Sequence, residues 1–140
     1  MTSLNEKGQS LTSWRESLIK KEISVQELCQ FYLDQIKKKN QKLNVYLATN
    51  EKILDQAKKI DRQINQEPKI FEKKPLLGLP IAVKDNFCTI NLPTTASSEV
   101  LKEYHPPYES TVTKKLKEAG ALILGKTNMD AWAHGSSTET

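Results

Sequence analysis

Cysteine is nearly absent: 140 residues carry two, Cys29 and Cys88, far apart and outside any C-x-x-C pair. That scarcity argues against a disulfide framework and against a thiolate zinc site, and leaves both as buried or bystander thiols. The two histidines, His105 and His134, have neither a neighbouring histidine nor clustered carboxylates, so no metal centre is expected and surface or packing roles are. No apolar run approaches the roughly 20 residues of a membrane helix. The first six residues lack the basic and apolar regions of a secretory leader, so a soluble cytoplasmic chain with no membrane partner is expected. Aromatic residues make up 6% of the chain and do not interleave with its lysines, which argues against a stacking platform for single-stranded nucleic acid. Charge is unbalanced only mildly, 21 basic against 17 acidic residues; a net +4 permits an acidic partner without establishing one.

What is present is 37% apolar residues, enough for one domain with a modest core. The first half reads as a helical coat over residues 1–66. Ser13 and Glu16 fit a capping box opening a short helix, and Ser24 with Glu27 fits a second, ahead of Leu28, Phe31, Tyr32 and Ile36 at helical spacing. Two helices are thus predicted before residue 40. Residues 43–49 read as a short extended piece, and Ile53, Ala57, Ile60 and Ile64 mark one face of a third helix. Residues 65–75 read as an exposed connector.

The second half, residues 76–140, reads as the start of an α/β core. Residues 79–83 form a buried strand with Pro80 near its beginning, where a missing amide donor costs least. Ser110 opens a helix bearing Val112, Leu116 and Ala119 on one face, Gly120 stops it, and residues 121–124 form a second buried strand. The connection is long enough for a crossover, so the two strands are expected to be parallel. Thr127 to Asp130 reads as the start of another helix, carrying Trp132 and ending near Gly135, and residues 136–140 as a polar terminus. Trp14 and Trp132 read as packing residues. Two parallel strands make a poor sheet, which predicts further chain to complete the core.

The residue with the most chemistry is Lys84, at the end of the apolar run in GLPIAVKDN, residues 78–86. An amine there is expected to be partly desolvated, and desolvation lowers a lysine's proton affinity toward the range where it acts as a base. The plain alternative is a strand-end lysine whose amine reaches water. Lys37, Lys38, Lys39, Lys58, Lys59, Lys114 and Lys115 lie beside acidic residues on predicted helices and read as solvated faces, with contact to a nucleic acid or a partner as the alternative.

Four ordered blocks then change the weighting of Lys84: GLPIAVKDN at 78–86, TTASS at 94–98, YESTV at 108–112 and GKTNMD at 125–130. In order and setting they resemble the amidase-signature family, and the stretch 128–139, NMDAWAHGSSTE, is similar to the branch of that family serving tRNA-dependent amidotransferases. The resemblance implies an amidase-signature α/β fold, a mixed sheet covered by helices and left incomplete by these residues, together with a serine, cis-serine, lysine triad in which Lys84 matches the lysine. Both family serines lie in glycine- and serine-rich segments that would follow Thr140, so this stretch alone is expected to be inactive. The implied reaction is glutamine hydrolysis through a covalent acyl-serine, releasing ammonia to convert Glu-tRNA(Gln) to Gln-tRNA(Gln). Amidotransferase subunits B and C are the implied partners, with no cofactor in this chain and with ATP and Mg used at a partner subunit.

Around Lys84, Asp85 and Asn86 read either as supports for the site or as a turn after the strand. The hydroxyls of residues 94–98 read as buttresses or as an ordinary serine-threonine turn. Gly135 and Ser136 are candidates for lining the glutamine pocket. Ser136 and Ser137 follow a glycine yet lack a nucleophile elbow or a base of their own, and they do not match the family's catalytic serines. Two other classes stand beside this reading: a different amide hydrolase using the same lysine, and a non-catalytic interaction module.

Overall fold

The computed structural model describes residues 10–137. The leader reading of the first residues and residues 138–140 of the polar terminus lie outside them. Helices α1 (Leu11–Ile19) and α2 (Val25–Leu43) come first, then strand β1 (Tyr46–Thr49), helices α3 (Ile53–Gln66) and α4 (Ile70–Lys73), strand β2 (Pro80–Lys84), helix α5 (Thr111–Glu118) and strand β3 (Leu122–Thr127). Short 3-10 turns cover Glu99–Leu101 and Ala131–Ala133.

Local chemistry sets most boundaries. Helix α2 starts where predicted, with Ser24 accepting from the Glu27 amide while the Glu27 carboxylate accepts from the Ser24 amide. The Asp61 carboxylate, from α3, takes the next two free donors, the amides of Val25 and Gln26 at 2.8 and 3.1 Å. The capping box of α1 is Ser10 with Ser13, one turn ahead of the Ser13 and Glu16 expectation. Serine at the third helical position returns the bond as a glutamate would, and a serine template alone does not distinguish the two registers. Ser110 caps α5 as expected.

Four further readings are corrected. Helix α2 runs to Leu43, past the expected limit, and ends on Asn44 in the left-handed region at φ 48°. The connector at 65–75 contains α4, whose Ile70 and Phe71 are buried. Arg15 from α1 secures it, donating to the carbonyls of Phe71 and Pro75 at 3.1 Å each with its guanidinium over the Phe71 ring. Thr127 to Asp130 is not a helix start: β3 continues through Thr127, and only the turn Ala131–Ala133 follows. Trp132 is half-exposed rather than packed, whereas Trp14 is buried against Phe31 and Tyr32 and donates to the Tyr32 hydroxyl at 2.9 Å.

The sheet has the order β1-β3-β2, with β2 and β3 parallel and β1 antiparallel to β3. The first half therefore contributes a strand as well as helices. Central β3 is covered on both sides: Leu122 and Leu124 join the main core of α1 to α4, and Ile123 joins a smaller cluster with Val83, Leu92, Phe87 and Leu116. At the outer edge of β1, the Asn40 side-chain amide stands in for a strand, accepting from the Tyr46 amide at 2.7 Å and donating to the Tyr46 carbonyl at 2.9 Å.

Candidate active site

The parallel pair carries two lysines at its carboxyl end, and one extra residue keeps them apart. Ile81 stands opposite Ile123 but Ala82 opposite Gly125, so Leu124 is left over as a β-bulge. In an uninterrupted register Lys84 would face Lys126. With the bulge, Lys126 stands opposite Val83 and Lys84 opposite Thr127. Residue 125 must be glycine: a Cβ there would collide with the Ala48 carbonyl and lie 2.9 Å from the Tyr46 ring.

The lysine that burial desolvates is Lys126, not Lys84. Lys84 is exposed, against the expectation of a partly buried amine. Lys126 is 0% exposed. Its ammonium donates to the carbonyls of Phe87 and Pro93 at 2.9 and 3.2 Å and to the Thr94 hydroxyl at 2.7 Å, and it pairs with Asp85 Oδ1 at 3.2 Å. The first three acceptors use its three protons, so Oδ1 receives charge without a hydrogen bond of its own. Burial pushes the Lys126 amine below the ordinary lysine value, and the Asp85 carboxylate opposes that shift. The other carboxylate oxygen, Oδ2, accepts from the amide and hydroxyl of Thr95.

This network ties the strand end to the neighbouring segments. The chain turns at Lys84, its carbonyl accepting from the Phe87 amide at 3.0 Å, while the Asp85 carbonyl accepts from Ala96 at 3.2 Å. Ala96 and Ser97 sit at φ 50° and 51°, conformations uncommon for residues with a Cβ. The Ser97 hydroxyl donates to the Asn128 side chain at 2.9 Å and accepts from the Met129 amide at 3.2 Å. The Ala96 carbonyl accepts from the Trp132 amide at 3.0 Å, docking the segment that leads to Gly135. At Gly135 a Cβ would come within 2.8 Å of the buried Asp130 carboxylate.

Of the residues singled out from sequence, Asp85 is thus buried in the network, while Asn86, Gly135 and Ser136 are exposed. In the 94–98 segment the hydroxyls of Thr94, Thr95 and Ser97 bond Lys126, Asp85 and Asn128, while Thr95 and Ser98 also accept from backbone amides two residues on, as in serine-threonine turns. Lys126 was missed, although its signal was legible: it ends the apolar run ALILG, and the desolvation argument applied to Lys84 holds more strongly in a strand covered on both faces. His105 and His134 are exposed. Among the described residues there is no group of three or more His, Cys, Asp or Glu able to hold a metal, and no helix is long and apolar enough to cross a membrane. A cleft of about 900 Å³ near the loop 89–93, with Asn50, His105 and Lys117 in its wall, is not lined by Lys84.

The sequence model of a family described as Amidase matches residues 27–140. The A subunit of the glutamyl-tRNA(Gln) amidotransferase of Prochlorococcus marinus (strain MIT 9215) is 45% identical over 129 residues, which is 91% of this chain and 26% of that protein. Its counterpart from Trichormus variabilis (strain ATCC 29413 / PCC 7937) is 47% identical over 131 residues, 93% of this chain and 26% of its own length. The chain therefore spans about a quarter of the length of these relatives. Among solved structures, native peptide amidase from Stenotrophomonas maltophilia superposes with a TM-score of 0.84 at 27% identity, over 91% of this chain and 26% of that one. The A subunit of the Thermotoga maritima glutamyl-tRNA(Gln) amidotransferase superposes with a TM-score of 0.71 at 28% identity, over 99% of this chain and 27% of that one.

Proposed function

Because the chain belongs to the amidase family, we propose that it is the lysine-bearing front of a glutamine-hydrolysing amidotransferase A subunit, with Lys84 as the base of the reaction. The observation that carries this reading is the placement of Lys84: it ends a parallel strand inside the matched block, with its amine exposed. A serine hydroxyl attacks an amide when its proton has an acceptor, and a neutral lysine acting through a second serine provides one. On this reading both serines belong to the length of the protein not covered by these residues, and their approach would cover the Lys84 amine. Attack on the glutamine side-chain carbonyl then forms an acyl-serine ester and expels ammonia, and water frees the serine. Gly135 and Ser136 border the substrate, and Asp85 supports the strand end.

Subunits B and C are the proposed partners, with Glu-tRNA(Gln) reached through the complex and ATP and Mg used at a partner subunit. Cytoplasmic location fits that role. The test is ammonia release from glutamine by the protein at its natural length, with and without partners. Loss of release in Lys84→Ala, with assembly intact and ammonium-supported transamidation preserved, is expected; undiminished release in that variant sinks the reading. The 140-residue chain alone is expected to release none.

The higher structural similarity to a peptide amidase than to an amidotransferase A subunit supports a second reading, hydrolysis of another small amide. Ammonia release that needs neither tRNA, ATP nor partner chains would select it.

A further inference from the structure

We infer that Lys126 is a positioning residue: together with Asp85 it grips the turn that begins at Lys84 and fixes where that strand end presents its amine. The inference rests on the reading of Lys84 as the base. Its ground is the arrangement of contacts around the turn from Lys84 to Phe87. The Phe87 amide closes the turn on the Lys84 carbonyl, and the Phe87 carbonyl is held by Lys126 at 2.9 Å. Asp85, second in the turn, meets the same ammonium at 3.2 Å. One buried cation thus holds the turn at two points, and through Pro93 and Thr94 it holds the segment packed against it. Thr95 completes the loop of contacts by donating to Asp85.

Charge pairing alone does not account for this choice of residues. Buried ion pairs are frequently replaced by apolar residues of similar volume at little or no loss of stability. What apolar residues cannot reproduce is a set of directed bonds from one atom to two carbonyls and a hydroxyl. Catalysis depends on such placement: a displacement of about 1 Å can cost on the order of a hundredfold in rate.

The experiment uses the protein at its natural length, with its partners, and glutamine as substrate. The double variant Asp85→Asn/Lys126→Met removes both charges and keeps both volumes. It is expected to fold, with a melting temperature lowered by less than in either single-charge deletion, while kcat for Lys84-dependent ammonia release falls by about tenfold to a hundredfold and KM stays within about twofold. Parental kcat in the folded double variant, or a loss confined to KM, overturns the inference. Should that variant fail to fold, Thr94→Val decides, since it keeps both charges and removes one acceptor of the ammonium. A drop in kcat of about threefold or more is expected, and an unchanged kcat is the contrary result. Lys84→Ala serves as the separate control: full release in that variant overturns the assignment of the base, and with it any role in positioning one.

Discussion

Lys126 and Asp85 form an ion pair at 3.2 Å with side chains 0% and 1% exposed, joining the central strand to the turn after its parallel neighbour. Removing either partner leaves the other charge buried without its counterion. Lys126→Met and Asp85→Asn are each expected to lower stability by about 3–5 kcal/mol, measured by urea denaturation. The double variant Asp85→Asn/Lys126→Met should lose much less than the sum. Additive losses in that cycle would show that the two side chains do not act as a pair.

Acid should weaken a second contact. Burial works to raise the Glu109 carboxyl, but the hydrogen bond and charge of Lys117 and the hydrogen bond from the Ile90 amide outweigh it and hold the group below its ordinary 4.5. The folded protein therefore releases this proton more readily than the unfolded chain, and ionised Glu109 stabilises the fold above pH 4.5, a contribution lost as pH falls through the lower folded value. Glu109→Gln should flatten the acid limb of stability against pH. An unchanged limb would assign acid sensitivity to other carboxylates.

Gly125→Ala probes the close approach of β1 and β3. The added methyl has no space against the Ala48 carbonyl and the Tyr46 ring, and relief requires β1 to shift. A loss of about 1–3 kcal/mol is expected. Hydrogen exchange should quicken at the Asn128 amide, which donates to the Val45 carbonyl at 2.7 Å. Parental exchange there would place the strain elsewhere.

Asn40→Leu tests the side chain that closes the outer edge of β1. The substitution strips partners from both polar groups of Tyr46, beside the exposed Val45 and Leu47. Stability should fall by about 1–2 kcal/mol, and sedimentation should show association rising with concentration as a strand edge becomes available for pairing. A variant that remains monomeric at high concentration would remove the guarding role.

Local signals carried most of the fold. Ser24 and Ser110 capped the helices expected of them, and the strand-helix-strand order of residues 79–124 emerged with parallel pairing because hydrophobic period and glycine stops are properties of adjacent residues. Interactions between distant segments were harder to read. Ser10 and Ser13 carry no label distinguishing one capping register from the next. Residues 65–75 are too polar overall to advertise that Ile70 and Phe71 reach the core. The adoption of β1 by the sheet depends on β3, far along the chain. At the site, the motif singled out Lys84, while the burial argument offered for it applies to Lys126. An apolar run announces that a strand is covered, but it does not say which of two following lysines the sheet will cover.

The extra residue at Leu124 makes β3 intolerant of changes in length. In a loop, deletion of one residue is absorbed by the turn. Here it would move every following position by one, bring Lys126 level with Lys84, and set two like charges side by side where one now meets a carboxylate and the other meets water. Homologous chains should therefore exchange one apolar side chain for another along this strand, Gly125 and Lys126 excepted, yet keep the number of residues between Ile123 and Lys126 constant, so that an alignment gap falling there would signal a misplaced alignment or a protein that has lost its buried cation.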